Sequence, residues 1–262
     1  MHRHLALTGA AAAARLGLDG FRGLLFPPLW SAPISSRPDA SVLRTRLWEP
    51  PEEVNGVLVA PVRIILRDLA TGLAPLPRWP GDRVPLSADL LVELALEHAL
   101  REGLVTLKEL AFSGARKGSA AVLAEVLARR PPGEPATDSY AETRGVQVLR
   151  RLGYSVVWRQ VPILDGNIHV NTVDLVVPTP GRIRRPVIMR PELGKLVEVD
   201  SVEHHSTRDG FDHDARRNTN YAALGYPYVL LTPNQIEHEP QRVLRAIEGA
   251  HSASRPRPQR CG

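Results

Sequence analysis

The sequence predicts an α/β protein in two parts, and three observations carry that prediction. Past residue 137, short apolar runs fit for strands are interleaved with segments whose apolar residues recur at helical spacing, in the order α-β-β-β-α-β-α. Before it, helically spaced segments dominate and the strands are few and short. Between the two lies RPPGEPAT, Arg130–Thr137, the clearest break in the chain. The expected organisation is therefore a smaller α+β, mostly helical region over 1–130, a linker over 131–137, a mixed sheet flanked by helices over 138–251, and a disordered basic tail over 252–262.

In the first part, residues 6–18 read as an Ala-rich helix and residues 22–40, with four prolines, as extended or looped. Leu43, Thr45 and Leu47 alternate with Arg44 and Arg46 across a half-buried strand, and residues 56–60 form a second. Pro61 opens a helix to Leu69. Pro75–Pro85 is a loop, and helices follow over 87–102, 106–112 and 119–129. The second of these begins with the capping box Thr106-x-x-Glu109. His98 is an isolated helical histidine and reads as structural. No winged helix-turn-helix is visible here.

In the second part, Ser139 opens a helix that buries Val146, Leu149 and Leu152 and stops at Gly153. Strands follow over 154–161, 168–177 and 196–200, with an Asp165-Gly166 turn between the first two. Residues 178–191 make an arginine-bearing loop. A helix over 208–224 ends at Gly225, an apolar strand covers 226–231, and one or two helices close the chain around Pro240.

The formal charge is +5, of which Arg255, Arg257 and Arg260 in the tail supply three. Of 33 basic residues only Lys108, Lys117 and Lys195 are lysine. Arginine's planar fork suits phosphate, although an arginine-rich codon usage explains the bias too. From Arg144 to Lys195, nine basic residues face three acids. The lone Cys261 excludes a disulfide within the chain, which is compatible with a reducing cytoplasm. No apolar run approaches the roughly 20 residues of a membrane span. The Ala-rich stretch near the start is only about ten residues long and is stopped by Arg15 and Asp19, so it does not read as a signal peptide.

The chemistry concentrates in LVEVDSVEHHSTRDGFDHDARR, Leu196–Arg217. Six carboxylates (Glu198, Asp200, Glu203, Asp209, Asp212, Asp214) and three histidines (His204, His205, His213) fall within those 22 residues. Residues i and i+2 of a strand share a face, so Glu198 and Asp200 stand side by side. Two such carboxylates repel unless a cation or a proton lies between them. Asp174, inside the apolar run VDLVV, is a costly place for a lone charge. Bland readings remain beside these. Glu142 completes a capping box with Ser139, and Asp214 with Arg217 makes an ordinary i,i+3 helix pair. A zinc site of His204, His205 and His213 lacks standard spacing.

Taken together, SYAETRGVQVLRRLGY, TVDLVVP, LVEVDSVEHH and FDHDARRNTNYAALGYPYVLLT resemble the PD-(D/E)xK, restriction-endonuclease-like superfamily. Within it, the likeness is to the domain similar to very-short-patch-repair (Vsr) endonucleases, over about residues 137–250. More weakly, VAPVRIILRDLA and HALREGLVTLKELA resemble the region preceding this domain in actinobacterial proteins, some grouped with AbiEi-type antitoxins of type IV toxin–antitoxin systems. The resemblance implies a metal-dependent DNA endonuclease or nickase using Mg²⁺ or Mn²⁺. It also admits a non-catalytic DNA-binding regulator or antitoxin-like protein, with a partner protein at the N-terminal region.

Carried over by motif, Asp174, Glu198 and Asp200 are the expected metal ligands. Glu142 and His205 join them as catalytic residues. Arg182, Arg184, Arg185 and Arg217 are the expected nucleic-acid contacts. Asp200 stands where the superfamily usually has lysine, and Lys195 faces away on a regular strand. An extra acid there means either a second metal ligand or a site that has lost activity.

Overall fold

Strand pairing builds two mixed sheets here, one in each half of the chain. In a computed structural model of the protein, residues 5–23, 28–33, 42–45, 49–70, 86–111, 119–131, 133–200 and 208–250 are described. The chain divides into Met1–Pro131 and Pro132–Gly262. An α/β architecture of helices and mixed sheets is thus present, and the division falls inside the proline-rich break.

The first unit runs β1 (Ala6–Thr8), α1 (Gly9–Arg15), β2 (Leu29–Pro33), β3 (Val42–Thr45), β4 (Glu52–Val54), β5 (Val57–Val59), α2 (Val62–Asp68), α3 (Ala88–Arg101), α4 (Leu107–Ala111) and α5 (Ser119–Ala128). Its strand order is β3-β2-β1-β5-β4. The single helix expected over 6–18 is instead a strand and then a helix. Leu7 pairs with Trp30 on one side and Val59 on the other, and these long-range partners override the local helix preference of an Ala-rich segment. β2 lies within the stretch expected to be extended or looped. The β4–β5 turn is Asn55-Gly56, both left-handed, which is the hairpin chemistry such a pair favours. His98 is buried with its Nδ1 3.1 Å from Asp19. Thr106 and Glu109 cap α4 as the sequence predicts. The 75–85 loop lies outside the described residues.

The second unit runs α6 (Tyr140–Arg151), β6 (Trp158–Asp165), β7 (Ile168–Pro178), a 3₁₀ turn (Pro191–Leu193), β8 (Gly194–Val199), α7 (Arg208–Ala223), β9 (Tyr228–Leu231), α8 (Pro233–His238) and α9 (Pro240–Gly249). The strands lie in the order β6-β7-β8-β9, antiparallel up to β8, with β9 parallel to it after the α7 crossover. The predicted element order holds, although β6 starts four residues later than expected. One face buries Leu175, Val177, Val197, Val199, Val229 and Leu231 under α6, α8 and α9. The other buries Trp158, Val161, Ile163, Val173, Val176 and Leu196 with Tyr221 of α7 and Tyr226. A sheet covered on both faces is what a parallel β8–β9 pair requires.

Two features bring α6 against the sheet. Gly145 has no side chain, and a Cβ there would lie 3.0 Å from Leu175. Arg144 forks onto Glu237 of α8 through Nε and Nη2 at 2.6 and 2.7 Å, tying the two helices together. Residues 133–137, expected as linker, are packed on the second unit. Glu134 accepts the Arg159 amide at 3.0 Å, and the hydroxyls of Thr137 and Thr143 are hydrogen-bonded at 2.6 Å.

At the base of the β7–β8 hairpin, a Cβ on Gly194 would lie 2.5 Å from the Val177 carbonyl and 2.9 Å from the Pro178 Cα. Backbone atoms cannot swing aside as a side chain can. Gly194→Ala is therefore predicted to destabilise the second unit by about 1–3 kcal/mol. Urea denaturation would measure this, and an unchanged midpoint would refute the close approach.

Candidate functional site

The site is set by a place where two strands part. β7 and β8 are paired from Pro178–Gly194 to Leu175–Val197. The next step in that register would oppose Asp174 and Glu198. There the Asp174 carboxylate takes over the ladder, its Oδ2 accepting the Val199 amide at 2.8 Å. β7 continues with β6 alone, while the Asp200 amide donates to the Leu231 carbonyl of β9 at 2.8 Å.

The β6–β7 ladder is irregular at the same level. It passes from Arg159–Leu175 to Val161–Val173, skipping Gln160 and Asp174. Gln160 is left-handed, with φ at 48°, an uncommon and costly state for a side chain of that size. Arg185 holds this interruption of the ladder, donating to the carbonyls of Arg159 at 3.1 Å and Gln160 at 2.5 Å. So turned, the Gln160 amide donates to Glu142 Oε2 at 2.8 Å. Glu142 also accepts Ser139 Oγ and the Asp138 amide, each at 3.0 Å. Its capping role and its place at the site are therefore one geometry.

From the other face, α7 supplies Arg217 and Tyr221, one turn apart. The Tyr221 hydroxyl donates to Glu198 Oε1 at 2.5 Å and accepts from the Asn171 amide. The same Asn171 nitrogen lies 3.5 Å from Oε1. Arg217 Nη1 is 3.4 Å from Glu198 Oε2. That buried Oε2 has no hydrogen bond.

Electrostatics follow from burial. Glu198 is 1% and Glu142 5% exposed. Burial, with the charge of Glu198 next, pushes the Asp174 carboxyl up to about 8. Burial, with Asp174 next, pushes Glu142 up to about 7. Burial raises Glu198 as well, against the opposing pull of Arg217 and the Tyr221 hydrogen bond. Asp174 and Glu198 act on each other's charge across the parting strands, and that repulsion favours a proton or a cation at the pair.

Of the sequence-predicted residues, Asp174, Glu198 and Glu142 come together. Asp200 directly follows the last residue of β8 and is not among the groups that dominate Asp174 and Glu198. Lys195 does face away, donating to the Ile247 and Glu248 carbonyls at the end of α9 at 2.5 and 3.1 Å. Arg182 and Arg184 are exposed. Arg185 secures the backbone at Arg159 and Gln160, and Arg217 reaches Glu198. His205 lies outside the described residues, as do His204 and the side chains of His213 and Asp214. Gln160, Asn171 and Tyr221 were not singled out by sequence. The signals open to reading were weak: polar residues in the β7 run NTVDLVV, and a tyrosine four residues beyond Arg217 on a helix.

The donor set suits a hard cation. Mg²⁺ is commonly held by one or two carboxylates plus water. Asp174 and Glu198 supply two, and the buried Glu198 Oε2 without a hydrogen bond is an open lone-pair donor. Among the described residues, no group of three or more His, Cys, Asp or Glu is arranged around one ion.

Because Asp174 and Glu142 bind protons more tightly folded than unfolded, their contribution to stability is fully present below their ordinary values of 3.8 and 4.5. It is lost as pH rises through about 8 for Asp174 and about 7 for Glu142. In EDTA, the melting temperature should therefore fall progressively from pH 5 to pH 8.5. Asp174→Asn should flatten the upper part of that decline, and a pH-independent wild-type melting temperature would contradict the buried acid pair.

Comparison with known proteins returned nothing to set beside this site: no family model matches the chain, and no curated protein and no solved structure matches it.

Proposed function

We propose that residues 138–250 form a divalent-cation-dependent DNA endonuclease or nickase of the restriction-endonuclease-like superfamily, similar to the Vsr endonucleases. The observation that carries this reading is the buried Asp174–Glu198 pair, placed where β7 and β8 part, whose mutual repulsion a cation would relieve. A bound Mg²⁺ or Mn²⁺ would polarise a phosphodiester and lower the pKa of a coordinated water. Asp174 and Glu198 would hold the ion. Glu142, pushed up to about 7 and tethered by Gln160, is poised to accept or release a proton near neutral pH. Arg182 and Arg184, exposed on the loop between β7 and β8, offer forks to the phosphate backbone. Asp200 and His205 are assigned to the same chemistry as an additional acid and as an acid/base or phosphate contact.

A second reading has its own support. Arg217 already sits beside Glu198, and Lys195 is committed to α9. A site that neutralises its own carboxylates suits a DNA-binding regulator or type IV antitoxin-like protein that retained the fold without cutting.

A plasmid-nicking assay with Mg²⁺ or Mn²⁺ separates the two. Metal-dependent nicking by the wild type, lost in Glu198→Ala, is the expected result. DNA binding that survives in Glu198→Ala, with no cutting by either protein, would favour the regulator and sink the nuclease.

A further inference from the structure

We infer that Tyr221, steadied by Asn171, is a positioning residue that fixes which oxygen of Glu198 is presented to a divalent cation. The inference rests on the metal-site reading of Asp174 and Glu198 and goes beyond it, to a residue outside the acidic motif.

A carboxylate has two oxygens and about four lone-pair directions, and its carbon–carbon bond lets the two oxygens exchange places. Something must therefore distinguish them if one is to face a metal. In Glu198 the two are made unequal. Oε1 receives the Tyr221 hydroxyl at 2.5 Å, with the Asn171 amide 3.5 Å away. Oε2 is buried, has no hydrogen bond, and lies 3.4 Å from the Arg217 guanidinium. A hydroxyl-to-carboxylate bond of that length belongs to the strong, charge-assisted class.

The donor itself is held from three directions. The Asn171 amide donates into the Tyr221 oxygen, so the hydroxyl proton is left to point at Glu198. The ring is fully buried. It packs edge-on against Tyr226 at 6.5 Å and tilted against Tyr228 at 5.8 Å. Burial and the Glu198 charge raise the phenol further, so the hydroxyl remains a donor throughout the working pH range. Partners that orient a metal-binding carboxylate typically change metal affinity by about 10- to 100-fold when removed.

The test uses the full chain and Mn²⁺ alone, with affinity read by calorimetry and fold by near-ultraviolet circular dichroism and melting temperature. Tyr221→Phe keeps the ring and its packing and removes only the hydroxyl. Tyr226→Phe is the matched control, because its hydroxyl is equally engaged, on the Met189 carbonyl at 2.8 Å, but does not touch Glu198. Glu198→Gln reports the metal site itself. The expected result is a dissociation constant for Mn²⁺ raised about 10- to 100-fold in Tyr221→Phe, unchanged in Tyr226→Phe, with binding abolished in Glu198→Gln. A merely structural tyrosine would lower the melting temperature in both phenylalanine variants and leave Mn²⁺ affinity alone. Wild-type affinity in Tyr221→Phe, with binding lost in Glu198→Gln, overturns the positioning role and leaves the metal site standing. Absence of Mn²⁺ binding by the wild type overturns both. If Tyr221→Phe does not fold, Asn171→Ala carries the same reading: weakened binding supports the chain of donors, and unchanged binding refutes it.

Discussion

Two carboxylates buried against each other are the constraint on which the second unit depends. Neither Asp174 nor Glu198 can stand ionised in an apolar sheet beside the other without compensation. The surrounding structure supplies it in several forms: an amide of the parted ladder, a tyrosine hydroxyl and a guanidinium. The amide comes from β8 and the other two from α7, so the acid pair ties together β7, β8 and α7. The same constraint explains why the pair sits where the strands diverge. Only there does a sheet have unused ladder amides and room for polar side chains between two apolar faces.

The strain next to the pair belongs to the same arrangement. A glutamine in the left-handed region of a strand is unfavourable, and such positions persist only where surroundings hold them. Here Arg185 bonds the carbonyls of Arg159 and Gln160, and the buried Glu134 takes the Arg159 amide. The result is that Gln160 faces Glu142, and α6 can approach because residue 145 has no side chain to obstruct Leu175. A segment that reads as linker, a loop that reads as a basic patch and a glycine inside a helix thus converge on one carboxylate.

The first unit presents a different kind of order. Buried charges in it are paired, Asp68 with Arg67 and Thr8, and Asp19 with His98 and Arg101. Thr8 and Asp68 join β1 to α2, and Asp19 joins the turn after α1 to α3, which is the ordinary structural use of such contacts. No helix among the described residues is long and apolar enough to cross a membrane.

The sequence by itself determined the elements of the second unit. Helical spacing around Val146 and Leu149, the Ser139 cap, the stop at Gly153 and the apolar runs of β7, β8 and β9 are local properties that survive folding. It also singled out Asp174 and Glu198, because a charge inside an apolar strand is conspicuous without any coordinates. What it could not settle was set by contacts across long separations. Leu7 becomes strand because Trp30 and Val59 flank it, and Arg185 secures the Gln160 carbonyl twenty-five residues away rather than standing free. Asp200 directly follows β8, and its amide carries the ladder one step further, onto the Leu231 carbonyl of β9. Gln160, Asn171 and Tyr221 acquire meaning only when β6, β7 and α7 are placed around Glu198. A hydrogen bond to a carboxylate depends on position in space, and for these residues no local pattern encodes it.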